Sequence, residues 1–442
     1  MALIHPKSPS CTIEQLELFQ PLATCSQVER SISVPHYSIS AVDGSTNVLE
    51  FVVQGSGDQY LDLIKTKLYI KFRIMDGNEK LKLTNVITNT TQSVVAPTVN
   101  FIASMFQQCD IFLNEKLVTS SNSLYAHRAY IEQLLNYSLE TAQKQLTSQL
   151  FYVDTPGHFQ KDAKDNKGFE SRQSLTKGSR SVEMIGPLFT DLTNQGRYMM
   201  NNVDVRIRLS RHEPKFSLMS PPADGEYNVQ IEKAILYVQK VNINPGVQLA
   251  VETMLRKQNA IYNLQRTDLK TFTIGQGNST FTQEHISLGM SPKYAIVGLV
   301  DTAAMQGDYK KNPFNFEHFN LSQISMNVDG EEVPLGGINC DYKNGNYMEG
   351  YQSLLEVVGK WKSDNPMLFD REQYEKGYTL YGFQLVPELI AGAFNTVRNT
   401  NIRLDIRFAE PTKENITVLV WFSYDGALEI DANRDIYYDF SA

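Results

Sequence analysis

The stretch NVDVRIRLS, from Asn202 to Ser210, alternates apolar and polar residues without a break. Val203, Val205, Ile207 and Leu209 fall on one side, and Asp204, Arg206 and Arg208 on the other, which predicts a strand buried on one face. The pattern returns in NIRLDIRFA, from Asn401 to Ala409, with Ile402, Leu404, Ile406 and Phe408 set against Arg403, Asp405 and Arg407. In each half the alternating strand is preceded by a similar series of elements. A strand and tight turn, CDIFLNEKLVT (Cys109 to Thr119) or ISMNVDGEEVPL (Ile324 to Leu335), leads into a segment of helical period. The first such segment is SLYAHRAYIEQLLNYS, with Leu124, Ile131, Leu134 and Leu135; the second is YMEGYQSLLEVVGKW, with Tyr351, Leu354, Leu355 and Val358. A repeat of about 200 residues is far longer than a solenoid period, so it predicts two tandem domains of one fold.

Leu134 and Leu354 are 220 positions apart and Asn202 and Asn401 are 199 apart, which leaves roughly 21 extra residues in the first half. They fall in the polar stretch Thr155 to Arg180, whose QKDAKDNKGFESRQ core (Gln160 to Gln173) mixes both charges and reads as a hydrophilic surface loop. Before the repeats, Pro6, Pro21 and Pro35 break up a first segment with one short apolar cluster, Leu16, Leu18 and Phe19. The expected organisation is an N-terminal arm over 1–45, a first domain over 46–245, and a second domain with its tail over 246–442. The first domain's strands are expected to start with NVLEFVVQ (Asn47 to Gln54), continue with TKLYIKFRI (Thr66 to Ile74), and end with YNVQIEKAILYVQKVNI (Tyr227 to Ile243). A short helix at Val247 to Asn259 bridges the halves after the turn signal Asn244-Pro245-Gly246. The second half opens with LKTFTIGQG, continues through KYAIVGLV and ends with ITVLVWFSY (Ile416 to Tyr424). Asp-Gly turns are expected at Asp43, Asp76, Asp224, Asp329 and Asp425, and an Asn-Gly turn at Asn344. Short alternating strands with few helices point to sandwiches or jelly rolls.

Composition narrows the function more than it suggests one. The 442 residues, 42% hydrophobic, suffice for two cores, and no run of about 18 apolar residues could span a bilayer. The start MALIHPKSPS lacks the order of a secretory signal, which implies synthesis in the cytosol. Cys11, Cys25, Cys109 and Cys340 are scattered and read as reduced thiols. The sequons at Asn89, Asn136, Asn278, Asn320 and Asn415 then read as chance matches. A net charge of -8 argues against a surface that tracks nucleic-acid phosphates over the whole protein.

No catalytic motif emerges: there is no GxSxG, HExxH or P-loop. GSG at Gly55 to Gly57 and GQG at Gly275 to Gly277 read as duplicated turns after the first strand of each half. His318 beside Glu317 is the nearest approach to a ligand cluster, but a metal needs three or four convergent ligands. Glu331-Glu332 follows a turn and is expected to be solvated. The expected catalytic, cofactor-binding and metal sites are therefore none.

The order TKLYIKFRI, VNFIASMFQQCDIFLNEKLVTSSNSLYAHRAYIEQLLNYS and QLTSQLFYVDTPGHF resembles the double jelly-roll major capsid proteins of the Polinton (Maverick) and adintovirus group. FNFEHFNLSQISMNVDGEEVP and the closing WFSYDGALEIDANRDIYYDF are similar in layout to second jelly rolls of the wider lineage that includes adenovirus hexons. The resemblance covers most of the chain from Asn47 and is strongest between Tyr60 and Phe159. It implies an all-β fold of two tandem eight-stranded jelly rolls with a few short helices. It also implies a non-enzymatic homotrimer that forms a pseudo-hexagonal capsomer, because two similar domains in three subunits give six near-equivalent corners.

The partners so implied are the chain itself, neighbouring capsomers, and penton or minor capsid proteins, with no sequence-specific nucleic acid. The place implied is the virion of a double-stranded DNA virus or virus-like element. Leu16, Leu18 and Phe19 are candidate inter-subunit arm contacts, the other reading of that segment being a frayed terminus, and Thr155 to Arg180 is a candidate exterior tower. Two other functions stay open: a host-domesticated, capsid-derived intracellular interaction protein, and a carbohydrate-binding or cupin-like jelly-roll enzyme. The enzyme would need His and carboxylate residues clustered on adjacent strands.

Overall fold

The computed structural model describes residues 25–40, 47–77, 81–82, 94–119, 122–221, 225–387 and 398–438. Eight main strands build the first half: β1 (Val28–Tyr37), β2 (Val48–Val53), β3 (Gln59–Asp76), β4 (Phe106–Leu113), β5 (Lys116–Leu117), β6 (Val182–Pro187), β7 (Val205–Arg211) and β8 (Tyr227–Ile243). They pair antiparallel as two sheets, β1-β8-β3-β6 and β2-β7-β4-β5.

Eight more build the second half: β9 (Ala260–Ile274), β10 (Thr280–Met290), β11 (Tyr294–Asp301), β12 (Leu321–Val328), β13 (Glu331–Asn339), β14 (Leu380–Gln384), β15 (Asn399–Phe408) and β16 (Ile416–Ile430). Their sheets are β9-β16-β11-β14 and β10-β15-β12-β13. Adding eight to each strand number of the first half gives the second half. Each half is a jelly roll, in which first and last strands share one sheet and the chain alternates between the two.

The alternating repeats occupy the same place, β7 and β15, each second in the sheet it shares with the tight hairpin. Val205, Ile207 and Leu209 are buried in β7, and Ile402, Leu404, Ile406 and Phe408 in β15. The hairpin β4–β5 turns on Asn114 and Glu115, at φ of 44° and 65°, and β12–β13 on Asp329 and Gly330, at 53° and 98°. Positive φ at both central residues matches the turn to the strand twist. After each hairpin comes a helix, α1 (Tyr125–Asn136) in the first half and α4 (Met348–Val357) in the second. Two further helices matter here, α2 (Lys167–Thr176) and the interdomain α3 (Pro245–Leu255).

Four expectations are corrected. The arm was drawn to 45, but Val28–Tyr37 is the edge strand β1, paired with Ile235 to Ile243 of β8. Pro35 hid it, and proline is tolerated on an edge strand. The supposed polar loop at 160–173 contains much of α2, whose Phe169 and Arg172 are fully buried. Arg172 is paired internally with Asp154 while Lys161, Lys164, Asp165, Lys167 and Glu170 stay exposed, so the segment is anchored at the junction by its buried residues and keeps a charged outer side. The two glycine pairs are not equivalent turns: Gly55 and Gly57 follow β2, whereas Gly275 and Gly277 follow β9. Asp425-Gly426 is no turn either, since it lies within β16 opposite Gln265 and Leu264, where pairing on a long strand overrides a local turn preference.

The two cores interlock. α1 sends Tyr130, Ile131, Leu134 and Leu135 into the second core, joined by Phe151 and Phe159 from the connection after it. In return Tyr262, Leu264, Leu428 and Ile430 pack into the first.

Candidate assembly surfaces and the polar junction

α1 is buried on nearly every side, although its sequence reads as amphipathic. Its charged residues survive burial because each has a partner. The Arg128 guanidinium meets Asp191 at 2.6 Å and Glu132 at 2.9 Å. Asp191 also accepts from the Thr267 backbone N–H of the second half, at 3.1 Å. His127 sits against Phe216 and Phe314, with Nε2 3.1 Å from the Pro313 carbonyl oxygen, and burial pushes it down to about 4.

A second knot lies beside it. Arg172 and Asp154, both side chains fully buried, are 2.6 Å apart. Arg172 also donates to the carbonyls of Pro97 and Tyr152. Asp154 accepts from Asn312 Nδ2 at 3.0 Å, and the Tyr378 hydroxyl donates to its carbonyl at 3.3 Å. Asn166 caps α2 by accepting from the Gly168 and Phe169 N–H groups. Gly377, at φ 108°, admits the Phe159 ring against its backbone, where any Cβ would collide with that ring. The segment from Asp154 to Phe159 thus fastens the first half to the second.

The groups with chemical potential are arranged for structure. His318 stacks on Tyr342 at 3.9 Å, and burial holds it at about 4. Its neighbour Glu317 is pushed up by burial and is bound by Asn315 at 2.5 Å. Among the described residues no three His, Cys, Asp or Glu side chains converge as a metal would require. Cys25, Cys109 and Cys340 are free. Cys109 and Cys340 are buried, which raises both thiols, Cys340 to about 11, so neither is a ready nucleophile. A trough of about 610 Å³ lies on the outer face of β10-β15-β12-β13. Of the charged residues that line it, Arg403 pairs with Asp405 at 2.9 Å and Thr282 donates to Asp405 at 2.8 Å, while Glu332 and Arg407 also face it. Glu331 and Glu332 are exposed, as expected.

The outer surface carries apolar side chains suited to protein contacts. Leu335 is 92% exposed on β13, and Leu288 and Trp361 are half exposed elsewhere on the second half. Ile64, Tyr198 and Ile261 lie where the halves meet: Ile64 lines a cleft with Gln265, the Tyr262 hydroxyl donates to the Tyr198 carbonyl, and Arg197 donates to the Ile261 carbonyl. Leu16, Leu18 and Phe19 lie outside the described residues. The junction network has no sequence signature: Arg172 sits in a polar run that looks solvated, and Arg128 and Asp154 are single charges beside apolar residues; the one clue is Phe169, an aromatic inside the polar run.

No family model matches the chain. It is 25% identical over 397 residues to an uncharacterized protein of Caenorhabditis elegans, covering 87% of this chain and 92% of that one. A chain of the Sputnik virophage cryo-EM structure superposes with a TM-score of 0.65 at 12% identity, covering 100% of this chain and 94% of its own. The mavirus major capsid protein gives 0.55 at 12% identity, covering 100% and 96%. The Faustovirus major capsid protein gives 0.55 at 9%, covering 96% and 95%. At these identities the likeness is one of fold, and it extends over both jelly rolls. The chain has the double jelly-roll fold and is structurally similar to viral major capsid proteins.

Proposed function

We propose that this protein is a non-enzymatic major capsid protein that assembles as a homotrimeric, pseudo-hexagonal capsomer of an icosahedral double-stranded DNA virus or virus-like element. The observation that carries the reading is the end-to-end match to a Sputnik virophage chain, supported by the two jelly rolls of identical strand order. Six near-equivalent corners from three chains tile a hexagonal lattice, which gives the internal duplication a purpose. The Polinton and adintovirus affinity rests on the sequence resemblance. Neighbouring capsomers and penton or minor capsid proteins are the partners, and the virion is the location. The raised thiols of Cys109 and Cys340 favour a scaffold over an enzyme.

A second reading has its own observation. The similarity to a nematode protein over most of both chains favours a host-domesticated copy that keeps the fold and serves as an intracellular interaction protein. Electron microscopy of the purified chain separates the two: hexagonal capsomers, sheets or shells support the capsid reading, and dispersed single chains overturn it.

A further inference from the structure

Helix α3 has its faces reversed for a surface helix. Gln248, Glu252 and Leu255 turn toward the protein: Gln248 donates to the Gly57 carbonyl at 2.6 Å, Glu252 pairs with Arg434 at 2.5 Å, and Leu255 is buried. Leu249, Ala250, Thr253 and Met254 form the opposite face and are exposed, Leu249 at 70% and Met254 at 48%. An outward stripe of this composition is what a helix normally buries. The stripe ends in two exposed cations, Arg256 and Lys257, with no carboxylate ion pair among the described residues.

The described chain begins beside this helix. The N–H of Asn244, the residue that caps α3, donates to the Gln27 carbonyl at 3.0 Å. The described chain therefore starts at the root of the unpartnered face, and 24 residues precede Cys25 in the sequence. That segment carries Ile13, Leu16, Leu18, Phe19 and Leu22, interleaved with Glu14 and Glu17. We propose that the N-terminal segment of the same chain covers α3, with its apolar residues on Leu249 and Met254 and its glutamates facing Arg256 and Lys257. Reach allows it: α3 is about 16 Å long, and the dozen residues from Ile13 to Thr24 span up to about 40 Å. Rooting the segment beside its target gives it a high effective concentration, which favours its own helix over a neighbour's.

The inference does not depend on capsid assembly and is tested on the full-length chain. In a Cys11→Ser, Cys25→Ser background, Leu18→Cys is combined with Leu249→Cys and the protein is mildly oxidised. The expected product is a disulfide within one chain, seen after trypsin as a linked pair of peptides, 8–30 with 241–256. Leu18→Cys with Leu335→Cys, on a distant exposed site, sets the background. Linkage no greater than that background overturns the proposal, and so does a disulfide that joins two chains. Hydrogen exchange supplies a second reading. Deleting residues 1–24 should speed exchange over 245–257 several-fold, and an unchanged rate overturns the proposal. Both measurements read the same way whether the chain is a monomer or a trimer, so a failed arm and a failed capsomer are told apart.

Discussion

Arg172 and Asp154 show what a fully buried ion pair does in this fold. Desolvating two charges is costly, and here the cost is offset by the second-half donor Asn312 on the Asp154 carboxylate and by the Pro97 and Tyr152 carbonyls on Arg172, as well as by the pair itself. Arg172→Met leaves Asp154 charged and dry, so we expect a loss of about 3–5 kcal/mol in urea-induced unfolding. Adding Asp154→Leu to that variant should recover part of the loss, and no recovery would show that the pair does not act as a unit. Histidines set the acid limit. His127, His212 and His318 are all lowered to about 4 by burial, below the ordinary 6.5. The unfolded chain then binds more protons between pH 6.5 and 4, so stability is full above about 6.5 and is lost as pH falls through that window. For the fully buried His127 the contribution is up to about 3 kcal/mol. His127→Gln, which can still donate to the Pro313 carbonyl, should flatten the loss between pH 7 and 5 when unfolding midpoints are compared; an unchanged slope would remove His127 from the account.

At the scale of elements, the edge strand β1 decides where the folded unit starts. Deleting residues 1–24 leaves β1 in place and should keep the thermal midpoint close to that of the full chain. Deleting 1–46 strips β8 of a partner along nine residues and opens a sheet edge, so a markedly lower midpoint and aggregation are expected by differential scanning calorimetry. Equal midpoints would restore the arm to its sequence-drawn length. The contrast explains what the chain reveals on reading. β7, β15 and both hairpins were legible because one buried face imposes a strict period of two, and turns between strands demand positive φ. β1 was not, since an edge strand with one partner is only half buried and Pro35 interrupts its run. α1 was legible as a helix but its burial was not, and α2 read as a loop, for a related reason: burial between two domains is a tertiary fact, and Arg128, Glu132 and Arg172 look solvated until Asp191 and Asp154 arrive from 63 and 18 residues away. The exposed apolar surfaces were not legible, because exposure of Leu335 or Ile64 has no signature in composition.

For the whole molecule, the interlocked cores make the two jelly rolls one unit whose remaining apolar area lies outside. Ile64, Tyr198 and Ile261 at the junction, Leu288 and Leu335 on the second half, and Tyr37 at the end of β1 are all exposed large side chains on a single chain. Scattered apolar residues are ordinary, but a set that straddles both domains suits contacts with further copies. Under the capsomer reading these residues are shared among three subunits, with obligate interfaces above about 2,000 Å². Native mass spectrometry at micromolar concentration should then give three times the 50.1 kDa chain mass with little monomer, because folding and association are linked. Ile64→Asp with Ile261→Asp should shift that population toward the single chain while the far-ultraviolet circular dichroism of the sheets is kept. If the wild-type chain is instead a stable folded monomer across that range, the capsomer mechanism fails, and the domesticated interaction protein becomes the better account of the same fold.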